Sequence, residues 1–489
     1  MEDNSCRLPS PWLSLIPLAV LVVLLFFTIS VFGADALSGA SQIVLLTTTA
    51  VASFIAMAFC GVKWKKIEAA ICENILGVST ALLILLLIGA LAGSWMVSGV
   101  VPTLIYYGMQ ILHPNFFLAS CCVICSIVSV MTGSSWTTVA TIGIALMGIG
   151  EAQGFSTGWI AGAIISGAYF GDKVSPLSDT TVLASSVTGT PLFTHIRFLM
   201  YTTVPSLLIT LLIFTLSGFN HEGANSAQIA AYSSALREHF NISLWLLLVP
   251  AITGAMIAGK VPSLITLFVS AALGAVFAVL FQPHLLQEIA GAAEQGLSAN
   301  FKGVLLSLCG STGIETGNVE LNDLVATRGM AGMMDTIWLI LCAMCFGGAM
   351  TASRMLESLT GRLKRFMKKR LGTVSSTVAS GLLLNICTAD QYISIILTGD
   401  MFREVYEKNG YESRLLSRSV EDSVTVTSVL IPWNTCGMTQ ATILGVATLT
   451  YLPYCFFNLI SPLMSIIVAG VGPHQPPPKG RLKTVEEKN

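Results

Sequence analysis

Long apolar segments recur along the whole chain, separated by short polar stretches. Most have about the 20 residues that an α-helix needs to cross the hydrocarbon core of a bilayer. Counting interrupted segments as well, we expect about ten to thirteen membrane segments. The clearest segments are residues 12–32, 43–59, 78–97, 198–216, 244–257, 263–281, 336–350 and 451–470. This pattern predicts an all-α polytopic membrane protein.

Composition agrees with this prediction and narrows the choice of partners. Of the 489 residues, 54% are hydrophobic and only 10% are charged, whereas soluble domains carry about 25% charged residues. The net charge of −1 gives no basic footprint for nucleic acid, so the expected partner is the lipid bilayer. Cysteines with redox-motif spacing, such as Cys122 and Cys125, lie in apolar segments, and we interpret them as packing residues.

Basic residues beside apolar segments predict the orientation of the chain. Lys63, Lys65 and Lys66 follow the second segment, and a denser cluster occupies residues 354–370. Cytoplasmic loops carry such an excess of lysine and arginine, so we expect both termini on the cytoplasmic side. We also expect the first apolar segment to stay in the protein as a membrane span and not to be removed as a signal peptide. The cluster consists of Arg354, Arg362, Lys364, Arg365, Lys368, Lys369 and Arg370. The predicted division is a tail (1–10), a first transmembrane half (11–219), connecting loops and spans (220–329), a second half (330–472) and a tail (473–489).

One polar stretch stands out in this apolar chain, residues 167–189. It contains Asp172, Lys173 and Asp179, several hydroxyls, and the helix-breaking Pro176. Irregular backbone at membrane depth is tolerated only where protein or a wet cavity surrounds it. Ionisable residues at that depth are expensive and mark functional sites. We therefore expect the functional site here.

The second half repeats this arrangement of spans and polar breaks. Such repeats, with discontinuous helices that meet near the bilayer midplane, are typical of secondary transporters. The matching segments are 91–96 with 345–350, 131–136 with 386–391, and 178–182 with 421–425.

Four carboxylates at these breaks are candidate carriers of Na⁺ and H⁺: Asp172, Asp179, Asp390 and Asp422. A buried carboxylate is stabilised by either a proton or a bound cation, so the two compete. Asp179 and Asp422 also suit helix N-cap positions. Neutral oxygens for ion or substrate binding are expected from Ser134, Ser135, Thr137, Thr180, Thr181, Thr388, Gln391, Ser423, Thr425, Asn434 and Thr435. No cofactor is expected.

Lys173 and the hydroxyl-rich breaks leave a second function open. Lys173 either neutralises a buried carboxylate, contacts an anionic substrate, or extends to the membrane interface. A Na⁺- and H⁺-coupled exchanger of small organic acids, or of amino acids, is therefore the alternative. An intramembrane hydrolase is disfavoured, because Gly171-Asp172 and Gly399-Asp400 lack the Gly-x-Gly-Asp context. We expect no enzymatic activity.

The stretch from Gly167 to Thr181 resembles the signature of the NhaC-type Na⁺/H⁺ antiporter family. Residues 328–333, 388–392, 421–423 and 432–435 resemble the second half of that family, and the similarity extends over roughly residues 12–472. The resemblance implies a member of the ion-transporter superfamily, with inverted repeats and hairpin elements, in a bacterial inner membrane. Some members of the family exchange Na⁺ for H⁺, and others exchange malate for lactate. A homodimer is a further expectation.

Overall fold

The computed structural model describes residues 8–32, 39–219, 226–291, 296–314, 322, 327–361, 363, 367 and 369–471. Within these residues the regular structure is helical, with no strand. Among the described residues, eight helices are long and apolar enough to cross a membrane, or up to ten when each of two bent pairs counts as one span. The all-α polytopic prediction is therefore confirmed, and the upper count meets the low end of the predicted range. Both terminal tails, except residues 8–10, and the basic residues Arg362, Lys364, Arg365 and Lys368 lie outside the described residues.

The described helices are α1 (Pro11–Phe32), α2 (Ala40–Cys60), α3 (Trp64–Gly77), α4 (Ser79–Val97), α5 (Val100–Ile111), α6 (Phe117–Thr132), α7 (Ser135–Thr138), α8 (Ile144–Ala152), α9 (Thr157–Val174), α10 (Asp179–Val187), α11 (Leu192–Phe219), α12 (Ser226–His239), α13 (Leu248–Ala258), α14 (Ser263–Phe281), α15 (Pro283–Ala290), α16 (Gly296–Cys309), α17 (Met334–Ala352), α18 (Met355–Gly361), α19 (Arg370–Thr388), α20 (Gln391–Lys408), α21 (Ser413–Val420), α22 (Thr435–Leu444), α23 (Thr448–Tyr451) and α24 (Phe456–Val471). Two π-helical turns, Val139–Gly143 and Glu421–Thr425, continue α7 and α21.

The breaks between α6 and α7 and between α19 and α20 have the same local geometry. Gly133 (φ 67°) and Ala389 (φ 59°) both adopt the left-handed conformation, which turns the chain out of one helix. The next residue, Ser134 or Asp390, is extended and caps the following helix with its side chain. These side chains accept a hydrogen bond from the N–H three residues later, at 3.2 Å and 2.9 Å respectively.

A threonine at the end of the preceding helix closes both turns in the same way. The Thr132 hydroxyl donates to the carbonyl of Ser134 and accepts from its N–H, both at 3.1 Å. The Thr388 hydroxyl makes the same pair of bonds with Asp390, at 2.9 Å and 3.2 Å. The separation between the two sets is 256 residues throughout. The two breaks are therefore structural counterparts.

A second pair of breaks follows the same separation. Ser178 caps α10, and Asn434, 256 residues later, caps α22. The match between the two halves in the sequence instead placed Ser178 opposite Glu421. In the structure, however, Glu421–Thr425 is a π turn in which the helical chain continues. The match also placed Ser134 one residue out of register, opposite Ala389. In both pairs of breaks, the helix caps define the equivalent positions.

Close packing of α9 on α6 positions the polar stretch. Gly167 and Gly171 lie against the backbone of α6, and an added Cβ would collide with the Cys122 carbonyl at Gly167 and with the Ser126 carbonyl at Gly171. Small residues let membrane helices approach this closely. Because Asp172 follows Gly171 directly, the distance between these two helices fixes where its carboxylate lies.

Substitution of Gly167→Ala is expected to lower the free energy of unfolding by about 1–3 kcal/mol, because the new methyl group must displace backbone atoms. The measurement is thermal unfolding in detergent, followed by the reactivity of the buried cysteines. Gly254→Ala is the matched control, since a Cβ there meets nothing within 4 Å. Equal melting temperatures for the two variants would contradict the close packing.

Candidate functional site

Asp172 is held by donors from two helix breaks. Its Oδ2 accepts from the backbone N–H of Ser135 (3.2 Å) and from the Ser135 hydroxyl (2.7 Å). Its Oδ1 accepts from the Ser178 hydroxyl at 2.6 Å. The carboxylate is buried, with 5% of the residue exposed. The N–H of Ser135 belongs to the first residue of α7, and helix N-termini favour negative charge. Three donors therefore stabilise a negative charge on Asp172.

A cavity of about 440 Å³ opens beside Asp172 and lies between residues of both halves. Asp179 is exposed to it at the first turn of α10. In the described part of the chain its wall contains these two carboxylates and no lysine or arginine. The lining residues with polar or aromatic side chains are Thr80, Thr132, Ser134, Trp136, Asp172, Asp179, Thr180, Ser263, Gln391 and Tyr392. Since a water molecule occupies about 30 Å³ in the liquid, the cavity has room for a hydrated ion or a small organic molecule.

Asp390 serves as the N-cap of α20 and connects this helix to the start of α22 through hydrogen bonds. Its Oδ1 accepts from the Ile393 N–H (2.9 Å) and its Oδ2 from the Thr435 hydroxyl (3.1 Å). Thr435 also donates its N–H to the carbonyl of Ala389 at 2.9 Å. Capping was the structural alternative for Asp179 and Asp422, but Ser178 caps α10 and Asp422 lies inside the π turn. Asp390 performs the capping role instead.

Lys173 and Asp422 form a buried ion pair that joins the two halves. The ammonium group also donates to the Ser461 hydroxyl at 2.7 Å, and the Thr202 hydroxyl donates to Asp422 at 3.1 Å. Arg418 lies on the other side, with its Nε 3.8 Å from Asp422 Oδ2. Lys173 and Asp422 are both fully buried and do not line the 440 Å³ cavity. Lys173 therefore neutralises a carboxylate in this structure.

The other predicted residues divide between the cavity and internal bonding. Gln391 faces the cavity, and its side-chain oxygen accepts from Ser428 (2.9 Å) and from the Cys436 thiol (3.1 Å). Thr180 lies within 2.9 Å of the Ser178 hydroxyl. Members of the predicted set that mainly satisfy nearby backbone or caps are Thr137, Thr181, Thr388, Ser423, Asn434 and Thr435. Thr425 is buried beside Glu421.

Four residues that surround the buried Lys173–Asp422 pair are absent from the predicted set: Arg418, Glu421, Thr202 and Ser461. A sequence signal existed for Arg418, because an arginine four residues before Asp422 lies on the same helical face. No comparable signal exists for Ser461, which reaches Lys173 from α24, 288 residues away in sequence. Long-range placement of this kind requires the fold.

Comparison with known proteins is informative at the family level. A family model described as the Na⁺/H⁺ antiporter family matches residues 167–472. The chain is 36% identical over 411 residues to the Na⁺/H⁺ antiporter NhaC of Alkalihalophilus pseudofirmus, covering 84% of this chain and 86% of that protein. It is 37% identical over 414 residues to the malate-2H⁺/Na⁺-lactate antiporter of Bacillus subtilis, covering 84% and 85%. The arginine/ornithine antiporter ArcD of Halobacterium salinarum is 32% identical over 468 residues, covering 95% and 92%.

Proposed function

Because the chain belongs to the Na⁺/H⁺ antiporter family, we propose that it exchanges Na⁺ for H⁺ by alternating access, with Asp172 as the cation-binding carboxylate. The supporting observation is the position of Asp172, which is buried, bonded to two hydroxyls and open to a cavity between the two halves. We place the protein in a bacterial inner membrane with both termini cytoplasmic, on the basic residues after α2 and around α18. A homodimer remains a prediction.

The bonding around Asp172 suits alternate occupancy by a proton or a cation. The hydroxyls of Ser135 and Ser178 now donate to the carboxylate. Each hydroxyl also has acceptor lone pairs and a hydrogen that rotates, so the same two oxygens become ligands when Na⁺ binds. A hard cation prefers such oxygen ligands. An ionised carboxylate without a counter-ion is costly in this buried position, so exchange of one cation for another keeps the site occupied.

The test is transport by the purified protein in liposomes that carry a pH gradient. Addition of Na⁺ or Li⁺ alone is expected to dissipate the gradient, and K⁺ is the comparison ion. Each cation is tested with and without malate or lactate, and protein-free liposomes control for leakage. A strict requirement for the organic acid would overturn the proposal in favour of the organic-acid alternative.

Exchange of a small amine, such as an amino acid, is a second candidate. The cavity is larger than a single ion requires, and its wall combines Asp172 and Asp179 with the aromatic rings of Trp136 and Tyr392. Carboxylates pair with an ammonium group, and aromatic faces attract it. A free dicarboxylate would need a bound Na⁺ to supply the positive charge. Competition by ornithine or arginine for Na⁺-driven proton flux in the same liposomes tests this candidate.

A further inference from the structure

Helices α4 and α17 occupy equivalent places in the two halves. Each is followed by a serine, Ser98 or Ser353, whose hydroxyl donates to the carbonyl three residues earlier. The next residue is left-handed in both cases, Gly99 with φ 81° and Arg354 with φ 58°. The two helices are therefore counterparts with a separation of 255 residues, one residue fewer than at the breaks.

Helix α17 packs directly against α22 and against the end of α19. The Thr336 hydroxyl donates to the Thr442 hydroxyl, because Thr442 gives its own hydrogen to the Met438 carbonyl at 2.9 Å. An added Cβ at Gly347 would lie 2.5 Å from the carbonyl oxygen of Thr388. Small residues allow helices to approach this closely, which leaves no room for an ion at these contacts.

The equivalent contact in the first half is open. Ala81 on α4 takes the place of Thr336, and Ser186 on α10 takes the place of Thr442. Ala81 lines the 440 Å³ cavity, and Ser186 is exposed. Where α17 meets α22, a cavity therefore separates α4 from α10.

The first-half break also lies at a different level along its helix. Thr388 lies beside Gly347 on α17, which corresponds to Ala92 on α4. Thr132 instead shares the cavity with the first residues of α4, as far as Ile84. Ile84 and Ala92 are eight residues apart, about 12 Å along an α-helix. The first-half break is therefore displaced toward the start of α4.

The start of α4 lies on the side of the basic residues. Helix α17 ends just before Arg354, and α4 runs in the opposite direction, because Gly89 packs against Gly329 just before α17 begins. The 440 Å³ cavity thus lies toward the side that we propose to be cytoplasmic. The Thr336–Thr442 contact, at the start of α17, lies toward the other side, and Thr442 also lines a second cavity of about 600 Å³.

We infer that this structure is the cytoplasm-facing state of the exchanger, in which the Thr336–Thr442 contact closes the opposite side. This inference rests on the proposed exchange and on the cytoplasmic placement of the termini. In the other state Ala81 meets Ser186, which closes the cavity beside Asp172, and Thr336 separates from Thr442. Because the halves are built alike, each can adopt the arrangement of the other. One hydrogen bond between hydroxyls is weak enough to break and form again.

Paired cysteines test the inference. A disulfide in Thr336→Cys/Thr442→Cys is expected to abolish Na⁺-driven proton flux in liposomes, and reduction should restore the flux. The cross-linked protein should still bind Na⁺ in detergent, because Asp172 stays open to the cytoplasmic cavity. Thr253→Cys/Ser270→Cys is the matched control, since these hydroxyls lie 2.7 Å apart on the consecutive helices α13 and α14, and its disulfide should leave the flux unchanged. Wild-type protein under the same oxidant controls for the native cysteines.

The outcomes separate this inference from the proposed function. Absence of Na⁺-driven proton flux in the wild type would refute the exchange itself. Flux that persists in cross-linked Thr336→Cys/Thr442→Cys protein would refute the closing contact, as would failure of the disulfide to form. Labelling of Ala81→Cys by a membrane-impermeant maleimide does not depend on flux. We expect labelling above the wild-type level in inside-out vesicles only, and labelling in right-side-out vesicles would overturn the inference.

Discussion

Replacement of Asp172 by asparagine is expected to abolish Na⁺-driven proton flux while the protein still folds. Asparagine has the same shape: its side-chain oxygen can still accept from Ser135, and its NH2 group can donate to the hydroxyl oxygen of Ser178. What disappears is the negative charge. A unit charge 4 Å from a cation contributes about 4 kcal/mol at an effective dielectric constant of 20, which corresponds to roughly a thousandfold in cation affinity. The measurements are Na⁺ binding in detergent and flux in liposomes.

Asp179→Asn is the matched control for this prediction. Asp179 lines the same cavity but is exposed to it, and water screens an exposed charge so that its contribution is about 0–1 kcal/mol. We therefore expect less than a tenfold loss of Na⁺ affinity. If Asp179→Asn were the more damaging of the two, the cation site would lie at the cavity mouth. If both variants kept full flux, the assignment of these carboxylates would be refuted.

The main features of the fold could be predicted because the hydropathy of the sequence shows where membrane helices begin and end. Apolar length gives the spans, and polar interruptions give the breaks. Register at the breaks was harder to predict. Gly133 signals a left-handed turn, since glycine adopts positive φ without strain, but Ala389 adopts the same conformation with no such signal. The sequence match of the two halves consequently placed Ser134, and not Gly133, opposite Ala389.

Asp172 could be proposed from the sequence because a carboxylate in a polar break of an apolar chain has few structural explanations. Its bonding partners could not. Ser135 reaches it from a break 37 residues earlier, and both this contact and the Lys173–Asp422 pair depend on how helices pack. The structure also separates carboxylates that look alike in the sequence into those that line the cavity and one that does not. Asp172 and Asp179 face the cavity, whereas Asp422 is sealed with Lys173.

Removal of one partner from the Lys173–Asp422 pair has the second large expected effect. Lys173→Met leaves Asp422 buried, with Arg418 at 3.8 Å as its remaining ion-pair partner among the described residues, and Asp422→Asn removes the carboxylate to which the Lys173 ammonium bonds. Breaking a buried pair from one side typically costs about 3–5 kcal/mol. Both single variants should therefore unfold at markedly lower temperature in detergent. Glu357→Gln, in the exposed Arg354–Glu357 pair, should cost at most about 1 kcal/mol.

The double variant Lys173→Met/Asp422→Asn distinguishes a direct pair from two independent losses. Removing both charges leaves neither Lys173 nor Asp422 as a buried charge without its partner. The loss of unfolding free energy in the double variant should therefore be smaller than the sum of the losses in the two single variants, by about 1–3 kcal/mol. Strict additivity would show that the two side chains do not interact. Because the pair ties α9, which carries Asp172, to the π turn after α21, a stable double variant also shows whether this connection is needed for exchange. We expect this variant to bind Na⁺ at Asp172, because the hydroxyls of Ser135 and Ser178 that hold this carboxylate are not part of the pair.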